Sequence, residues 1–254
     1  MTSWALVAGA SEGIGAAFAR ELAASGHDLV LIARRKEPLE ALAAELRATG
    51  RTVETLALDL GGEVGPVLRA IAHPIEVVVW NAALSLIGPF LETSLEDHER
   101  MLALNTRGPL TAARIFGEQM AARGRGTIIL LSSLTAFWGT AYLATYGATK
   151  AFNLALAEAL AAELGSSGVD VVACCAGATS TPGFTKLVAG RKGPRAMTPE
   201  AVARATLRTV RRGAYVPGAF NKFAQWLMAR LFPRRLAVVI MAGQTKGLLA
   251  RDLQ

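Results

Sequence analysis

Trp4-Ala5-Leu6-Val7-Ala8-Gly9-Ala10-Ser11-Glu12-Gly13-Ile14-Gly15 runs from five apolar residues into a turn holding three glycines. A helical pattern follows through Phe18, Leu22 and Ala23 and closes at Ser25-Gly26. Strand, glycine-rich turn and helix N-terminus together make a phosphate cradle. The glycines let the backbone approach an anion, and the free amides and helix dipole attract it. A glycine pattern alone says little, but one that follows a strand and opens a helix stands in the context the motif demands. The expected cofactor contacts here are Gly9, Ser11, Glu12, Gly13, Ile14 and Gly15.

Moving outward, Asp28 to Ala33 reads as a second strand and ends in Arg34-Arg35-Lys36, with no acid until Glu37. In a dinucleotide site this strand end meets the adenosine ribose. An acid there binds a 2′-hydroxyl, whereas arginines accommodate a 2′-phosphate, so Arg34 and Arg35 favour NADP(H) over NAD(H). A helix over Leu39–Leu46 stops at Gly50, and Thr52 to Leu58 is a third strand ending at Asp59 and Leu60. After a short helix near 63–71, Glu76 to Trp80 is a fourth strand that delivers Asn81, Ala82 and Ala83. One long helical pattern covers about 95–121 and contains Asn105. Gly126 to Leu131 is a fifth strand leading into Ser132-Ser133, a long helix runs to about Leu164, and Val169 to Cys174 is a sixth strand. Thr181 to Gly193 mixes Pro, Gly and basic residues and reads as a mobile loop or lid. Thr198 and Pro199 start another helix as N-cap and first residue, and Ala214 to Pro217 reads as a seventh strand.

Strands and helices alternating at this rhythm predict an α/β fold, a Rossmann-type doubly wound parallel sheet of about seven strands. Ligands of such sheets bind at the carboxyl ends of the strands. Gly9–Gly15, Arg34, Asp59, Asn81, Ser133 and Ala176-Gly177 all fall on that one edge.

Tyr146 and Lys150 lie four residues apart at the start of the long helix, on one face. An ammonium held near a phenol favours phenolate and pulls the tyrosine towards working pH, which makes it a general acid or base.

The 254 residues, 52% of them hydrophobic, suit one globular domain. The longest apolar run of the C-terminal part, Leu236 to Ala242, falls far short of the ~20 residues a bilayer span needs. The N-terminus shows no charged start and cleavage site, so a cytoplasmic protein is expected. Cys174 and Cys175, adjacent in an apolar run, read as buried strand thiols, and His27, His73 and His98 show no metal-ligand spacing. From Ala201 onward lie ten of the 27 basic residues and one of the 20 acids, Asp252, which leaves 17 basic and 19 acidic residues before it. The basic balance therefore belongs to the tail. In residues 219–254, Phe223, Trp226, Leu227, Leu231 and Phe232 interleave with Lys222, Arg230, Arg234 and Arg235 as an amphipathic helix. Such a segment suits peripheral contact with an anionic membrane, a cover over a substrate entrance, a dimer contact, or docking on its own subunit. No nucleic-acid reading motif accompanies the charge, and no nucleic-acid partner is expected.

From Ser3 to Pro217 the chain resembles the short-chain dehydrogenase/reductase family, in its compact single-domain branch. The family's glycine motif matches Gly9, Gly13 and Gly15, with Ala8 where threonine is usual. Trp80-Asn81-Ala82-Ala83 keeps two positions of the family's Asn-Asn-Ala-Gly. The active-site asparagine matches Asn105, the serine Ser133, and the Tyr-x-x-x-Lys signature Tyr146 and Lys150. Tyr142 is a decoy, with Tyr146 rather than a lysine four places on. Ala176-Gly177 stands for the Pro-Gly after the sixth strand, with Thr179 and Thr181 as further cofactor contacts.

The resemblance implies a domain over 1–218 with a substrate loop at about 181–197, a basic extension over 219–254, and a homodimer or homotetramer. It implies hydride transfer between NADP(H) and a small-molecule carbonyl or secondary alcohol. In that scheme Ser133 orients the substrate oxygen and Tyr146 transfers the proton. Lys150 lowers the tyrosine pKa and, with Tyr146, contacts the nicotinamide ribose; Asn105 positions a water. Leu84, Phe137, Trp138, Tyr142, Phe184 and Leu187 are candidates to line an apolar substrate pocket. The competing function is a cofactor-binding sensor or scaffold without turnover.

Overall fold

Seven short apolar runs pair into a single parallel sheet in the order β3-β2-β1-β4-β5-β6-β7. The computed structural model describes residues 3–188, 195–209 and 213–249. The strands are β1 Trp4–Ala8, β2 Asp28–Ala33, β3 Val53–Ala57, β4 Ile75–Trp80, β5 Gly126–Ser133, β6 Val169–Ala176 and β7 Gly213–Tyr215. β1 and β2 are buried at every position, which is why they read as unbroken apolar runs rather than alternating ones. Alternate residues feed two cores. Leu6, Val30, Val78 and Leu130 pack on one face with Phe116 and Leu154; Val7, Leu31, Val79 and Ile129 pack on the other with Phe18, Leu39 and Val202.

The helices that supply those partners are α1 Gly13–Ala24, α2 Lys36–Arg47, α3 Gly65–Arg69, α4 Leu95–Leu102, α5 Gly108–Arg123, α6 Ala144–Leu164, α7 Pro182–Leu187 and α8 Pro199–Arg208. Strand order reverses direction at β1, between β2 on one side and β4 on the other. The crevice at this switch point is where ligands of open parallel sheets bind.

Three differences from the sequence expectation bear on the site. The single long helix expected over 95–121 is broken: a π-helical turn, Ala103–Arg107, separates α4 from α5 and carries Asn105. β5 and β6 each run two residues past the expected ends, because Ser132 pairs with Cys175 and Ser133 with Ala176. The expected mobile loop begins as helix α7, capped by Thr181, whose hydroxyl accepts from the Phe184 amide at 3.3 Å. The loop's residues 189–194 and the Leu187 side chain lie outside the described residues. Thr198 caps α8 as expected, accepting from the Ala201 amide.

Cys174 and Cys175 are both fully buried in β6, as expected of strand thiols. The tail forms two helices, α9 Ala219–Leu231 and α10 Arg234–Leu249, separated at Phe232-Pro233. Among the described residues no helix is long and apolar enough to cross a membrane.

Candidate active site

Missing side chains build the first half of the site. Gly9 sits at φ +79°, and a Cβ there would lie 2.7 Å from the Ala82 amide nitrogen. On Gly15 a Cβ would stand 2.0 Å from the Gly9 carbonyl oxygen, and on Gly13, at φ +58°, it would strike the Thr181 methyl at 2.9 Å. These three glycines let the β1–α1 turn press against the end of β4 and the start of α7. Asn81 locks the arrangement: its Nδ2 donates to Gly9 O at 2.9 Å, and the backbone amides of Asn81 and Ala82 both donate to Ala8 O. No side chain caps the N-terminus of α1, so its first amides are open to a ligand.

The turn forms one wall of a cavity of about 1160 Å³. Of the residues singled out in the sequence, Gly9, Ser11, Glu12, Gly13, Ile14, Arg34, Arg35, Asp59, Leu60, Asn81, Ala82, Ala83, Tyr146 and Thr181 line it. At its rim Arg35 bridges Glu12 at 2.7 Å and donates to Ser11 Oγ at 3.3 Å, while Arg34 is exposed. The opposite wall was missed in the sequence. Glu99, Arg100, Leu102, Ala103, Thr106 and Arg107 of α4 and the π turn face the same cavity. Their signal, an outward helix face with two arginines seven residues apart, is shared by many solvated helices.

At the chemical end the polar groups are buried and bonded. Lys150 is buried, and its Nζ donates to Leu131 O at 2.7 Å. In return Ser132 Oγ donates to Lys150 O at 2.8 Å, so strand β5 and helix α6 clasp each other. Because successive strand residues point to opposite faces, Ser132 is turned into this clasp and Ser133 stands beside Tyr146. Ser133 Oγ also accepts from the Thr135 amide at 3.2 Å. The Lys150 ammonium lies 5.5 Å from the centre of the Tyr146 ring.

Electrostatically the pair departs from the sequence expectation. Burial pushes the Tyr146 phenol up to about 12, with the Ser133 hydroxyl opposing the rise in part. Burial likewise lowers the Lys150 ammonium to about 8. Spacing alone suggested a depressed tyrosine; desolvation, which spacing cannot reveal, raises it instead.

Asn105 is buried in the π turn and its side chain makes three hydrogen bonds. Oδ1 accepts from the Leu84 amide at 2.8 Å, while Nδ2 donates to Leu84 O at 2.8 Å and to Thr149 Oγ1 at 3.0 Å. Thr149 in turn donates to Tyr146 O at 2.7 Å. The side chain is thus a strut from the β4 loop to the second turn of α6, and the Asn105 carbonyl accepts from Asn153 at 3.1 Å.

Around this core, Leu84 lines the cavity, whereas Phe137 packs on the hydrophobic core and Trp138 is buried. Tyr142 holds a left-handed φ of 64°, and its carbonyl accepts from the Gly88 amide. Thr179 is buried, is not among the residues lining the cavity, and donates to Gly177 O at 3.0 Å. Ala176 ends β6 in the sheet, and Gly177 lies under Asn221 of α9, where a Cβ would meet the amide at 2.7 Å. Trp80, at a motif position where the resemblance expects asparagine, is buried with Gly108 against it and no partner for its Nε1.

The family model for short chain dehydrogenases matches residues 3–192. A very-long-chain 3-oxoacyl-CoA reductase of Pyricularia oryzae is 36% identical over 66% of this chain and 54% of its own length. The chain thus spans about half of that relative. The structure of a 7beta-hydroxysteroid dehydrogenase studied for its stereoselectivity superposes with TM-score 0.87 at 28% identity, covering 94% of this chain and 96% of that one. A short-chain dehydrogenase from Sphingobium yanoikuyae in complex with NADPH superposes with TM-score 0.78 at 34% identity, covering 91% and 96%. With the parallel seven-stranded sheet and the glycine cradle, these matches place the chain: it belongs to the short chain dehydrogenase family.

Proposed function

We propose that the chain is an NADP(H)-dependent oxidoreductase interconverting a carbonyl and a secondary alcohol on a hydrophobic small molecule. One observation carries this reading: Tyr146 reaches the same cavity as the glycine cradle, with Ser133 beside it and Lys150 buried beneath. When bound, the nicotinamide supplies or accepts the hydride. Ser133 donates a hydrogen bond to the substrate oxygen and orients it. Tyr146, its phenol held well above neutral pH, keeps its proton until a carbonyl oxygen gains charge and then delivers it. Lys150, near 8, is mostly charged at pH 7 and stabilises the phenolate left behind; with a cofactor bound it would be the residue to hold the ribose hydroxyls. Asn105 holds Leu84 and α6 in register and, in this reading, positions a water with the remaining lone pair of its Oδ1.

Preference for the 2′-phosphate is supported by Arg34 and Arg35 at the cavity rim; the first acid after them in the sequence, Glu37, is exposed in the first turn of α2. The Sphingobium relative, solved with NADPH, supports the same cofactor. An apolar substrate is supported by Leu84 and by relatives named for a very-long-chain acyl group and a steroid. We assign the oxidoreductase unit to 1–218, its substrate loop to 181–197 and an extension to 219–254. A homo-oligomer belongs to this reading, supported by Leu95 and Leu110, which α4 and α5 leave exposed.

The test is NADPH oxidation against aldehydes, aliphatic ketones, β-keto esters and steroid ketones, with Tyr146→Phe as the control. Loss of the phenolic proton lowers the rate by about 10²–10⁴-fold while NADPH still binds. A mutant with near-normal rate overturns the role of Tyr146. Silence of the wild type across the panel, with NADPH tightly bound, favours a sensor or scaffold instead.

A further inference from the structure

The two C-terminal helices leave an outward surface that the proposed chemistry does not use. Asn221 is buried, seated on Gly177 and bonded to Pro217 O at 3.0 Å, which fixes the inward side of α9. At about 100° per residue, Phe220, Phe223, Trp226 and Leu231 then share an outward arc of about 140°, with Arg230 inside it. All four apolar side chains are more than half exposed. α10 repeats the pattern. Ala237 and Thr245 are buried, Arg234 donates to Phe137 O, and Leu236 and Val239 face out beside Arg235 and Lys246.

Charge selects the occupant. Between Glu200 and Asp252 the sequence contains no acid, whereas the rest of the chain is slightly acidic. A two-fold contact sets the same patch against itself. Two copies joined through this face would oppose arginine to arginine with no carboxylate to pair them. Exposed aromatics with interspersed arginines on a helix face complement an anionic bilayer surface, where rings sit at the headgroup level and cations meet phosphates. We infer that α9 and α10 form a docking face for an anionic lipid surface.

Trp226 gives a built-in probe. Of the four tryptophans, Trp4, Trp80 and Trp138 are at most 8% exposed and Trp226 is 52% exposed. The full chain is mixed with vesicles of phosphatidylglycerol and phosphatidylcholine, and separately with pure phosphatidylcholine. Tryptophan emission shifts to the blue and the protein pellets with the anionic vesicles only, and added salt reverses both. Arg230→Glu/Arg235→Glu and Phe223→Ser/Trp226→Ser each lower the bound fraction by about ten-fold or more, with melting temperature and NADPH binding unchanged. Equal binding to neutral and anionic vesicles overturns the inference, as does undiminished binding of both variants. So does an emission already blue-shifted in vesicle-free protein that moves to the red on dilution, with Phe223→Ser/Trp226→Ser halving the mass in solution: a second copy then covers the face.

Discussion

The two ends of the cleft are built on opposite principles. At the β1–α1 turn the geometry depends on atoms that are not there: hydrogen in place of Cβ lets backbone touch backbone at Gly9 and Gly15 and admits the Thr181 methyl at Gly13. At α6 it depends on polar atoms that are there and buried, each bonded across elements, as Lys150 is to Leu131 and Asn105 to Leu84. The first end tolerates no added volume, and the second tolerates no lost partner. Each therefore fails by its own mechanism, and the two can be separated by experiment.

Added volume has the largest effect. Gly15→Ala places a methyl 2.0 Å from a backbone oxygen that cannot rotate aside. Overpacking of this kind costs about 3 kcal/mol or more, or a drop of about 6–12 °C in melting temperature, with loss of NADPH binding. Gly183→Ala, on the same cavity with nothing within 4 Å of its Cβ, is the matched control and melts no lower than wild type. Equal melting of the two variants would break the first half of the comparison.

A lost partner costs somewhat less. Asn105→Ala strands the Leu84 amide and carbonyl and a Thr149 interaction at once. Water reaches a site of this size in part, so about 2 kcal/mol is expected from urea unfolding, at unchanged denaturant dependence. A change below experimental error means that the strut is not carrying the β4 loop.

The same contrast explains what the sequence disclosed. Gly9, Gly13 and Gly15 are neighbours along the chain, so their pattern and the arginines after β2 are visible without a structure. The sheet followed from the same cause, since strands buried on both faces show as apolar runs between turn signals. The wall from α4 was hidden because an exposed amphipathic helix facing a cavity looks like one facing water. The π turn was hidden because it depends on bonds from Asn105 to Leu84, twenty-one residues away, and on the contact of Trp80 with Gly108. Tyr146 and Lys150 were found by spacing, yet the direction of the tyrosine shift depends on burial, which no spacing encodes.

That burial has a pH signature at the second end of the cleft. The folded Lys150 ammonium is lowered from 10.5 to about 8, so between these values the unfolded chain holds more protons than the folded one. Stability then rises with pH across that window, on the order of 1 kcal/mol per pH unit. Tyr146, raised from 10.0 to about 12, works in the opposite sense but only above pH 10. Lys150→Met removes the first slope and leaves the second. The difference in unfolding free energy between wild type and Lys150→Met therefore changes steadily from pH 8 to 10 in the wild type's favour. A flat difference places Lys150 in contact with water and erases the distinction between the two ends.

The smallest effect lies at the rim, where neither principle holds strictly. Arg35 and Glu12 pair at 2.7 Å with about half of each side chain in water, and such pairs are worth at most about 1 kcal/mol. Glu12→Gln frees the guanidinium and removes a negative charge from beside the proposed 2′-phosphate, with no added volume and no stranded buried group. Affinity for NADPH rises by about two- to five-fold relative to NADH, and the melting temperature stays the same. An equal change for both nucleotides in a titration by intrinsic fluorescence would mean that Arg35 faces the diphosphate rather than the ribose. Cofactor choice would then rest on Arg34 alone, the exposed arginine one residue before it at the cavity rim.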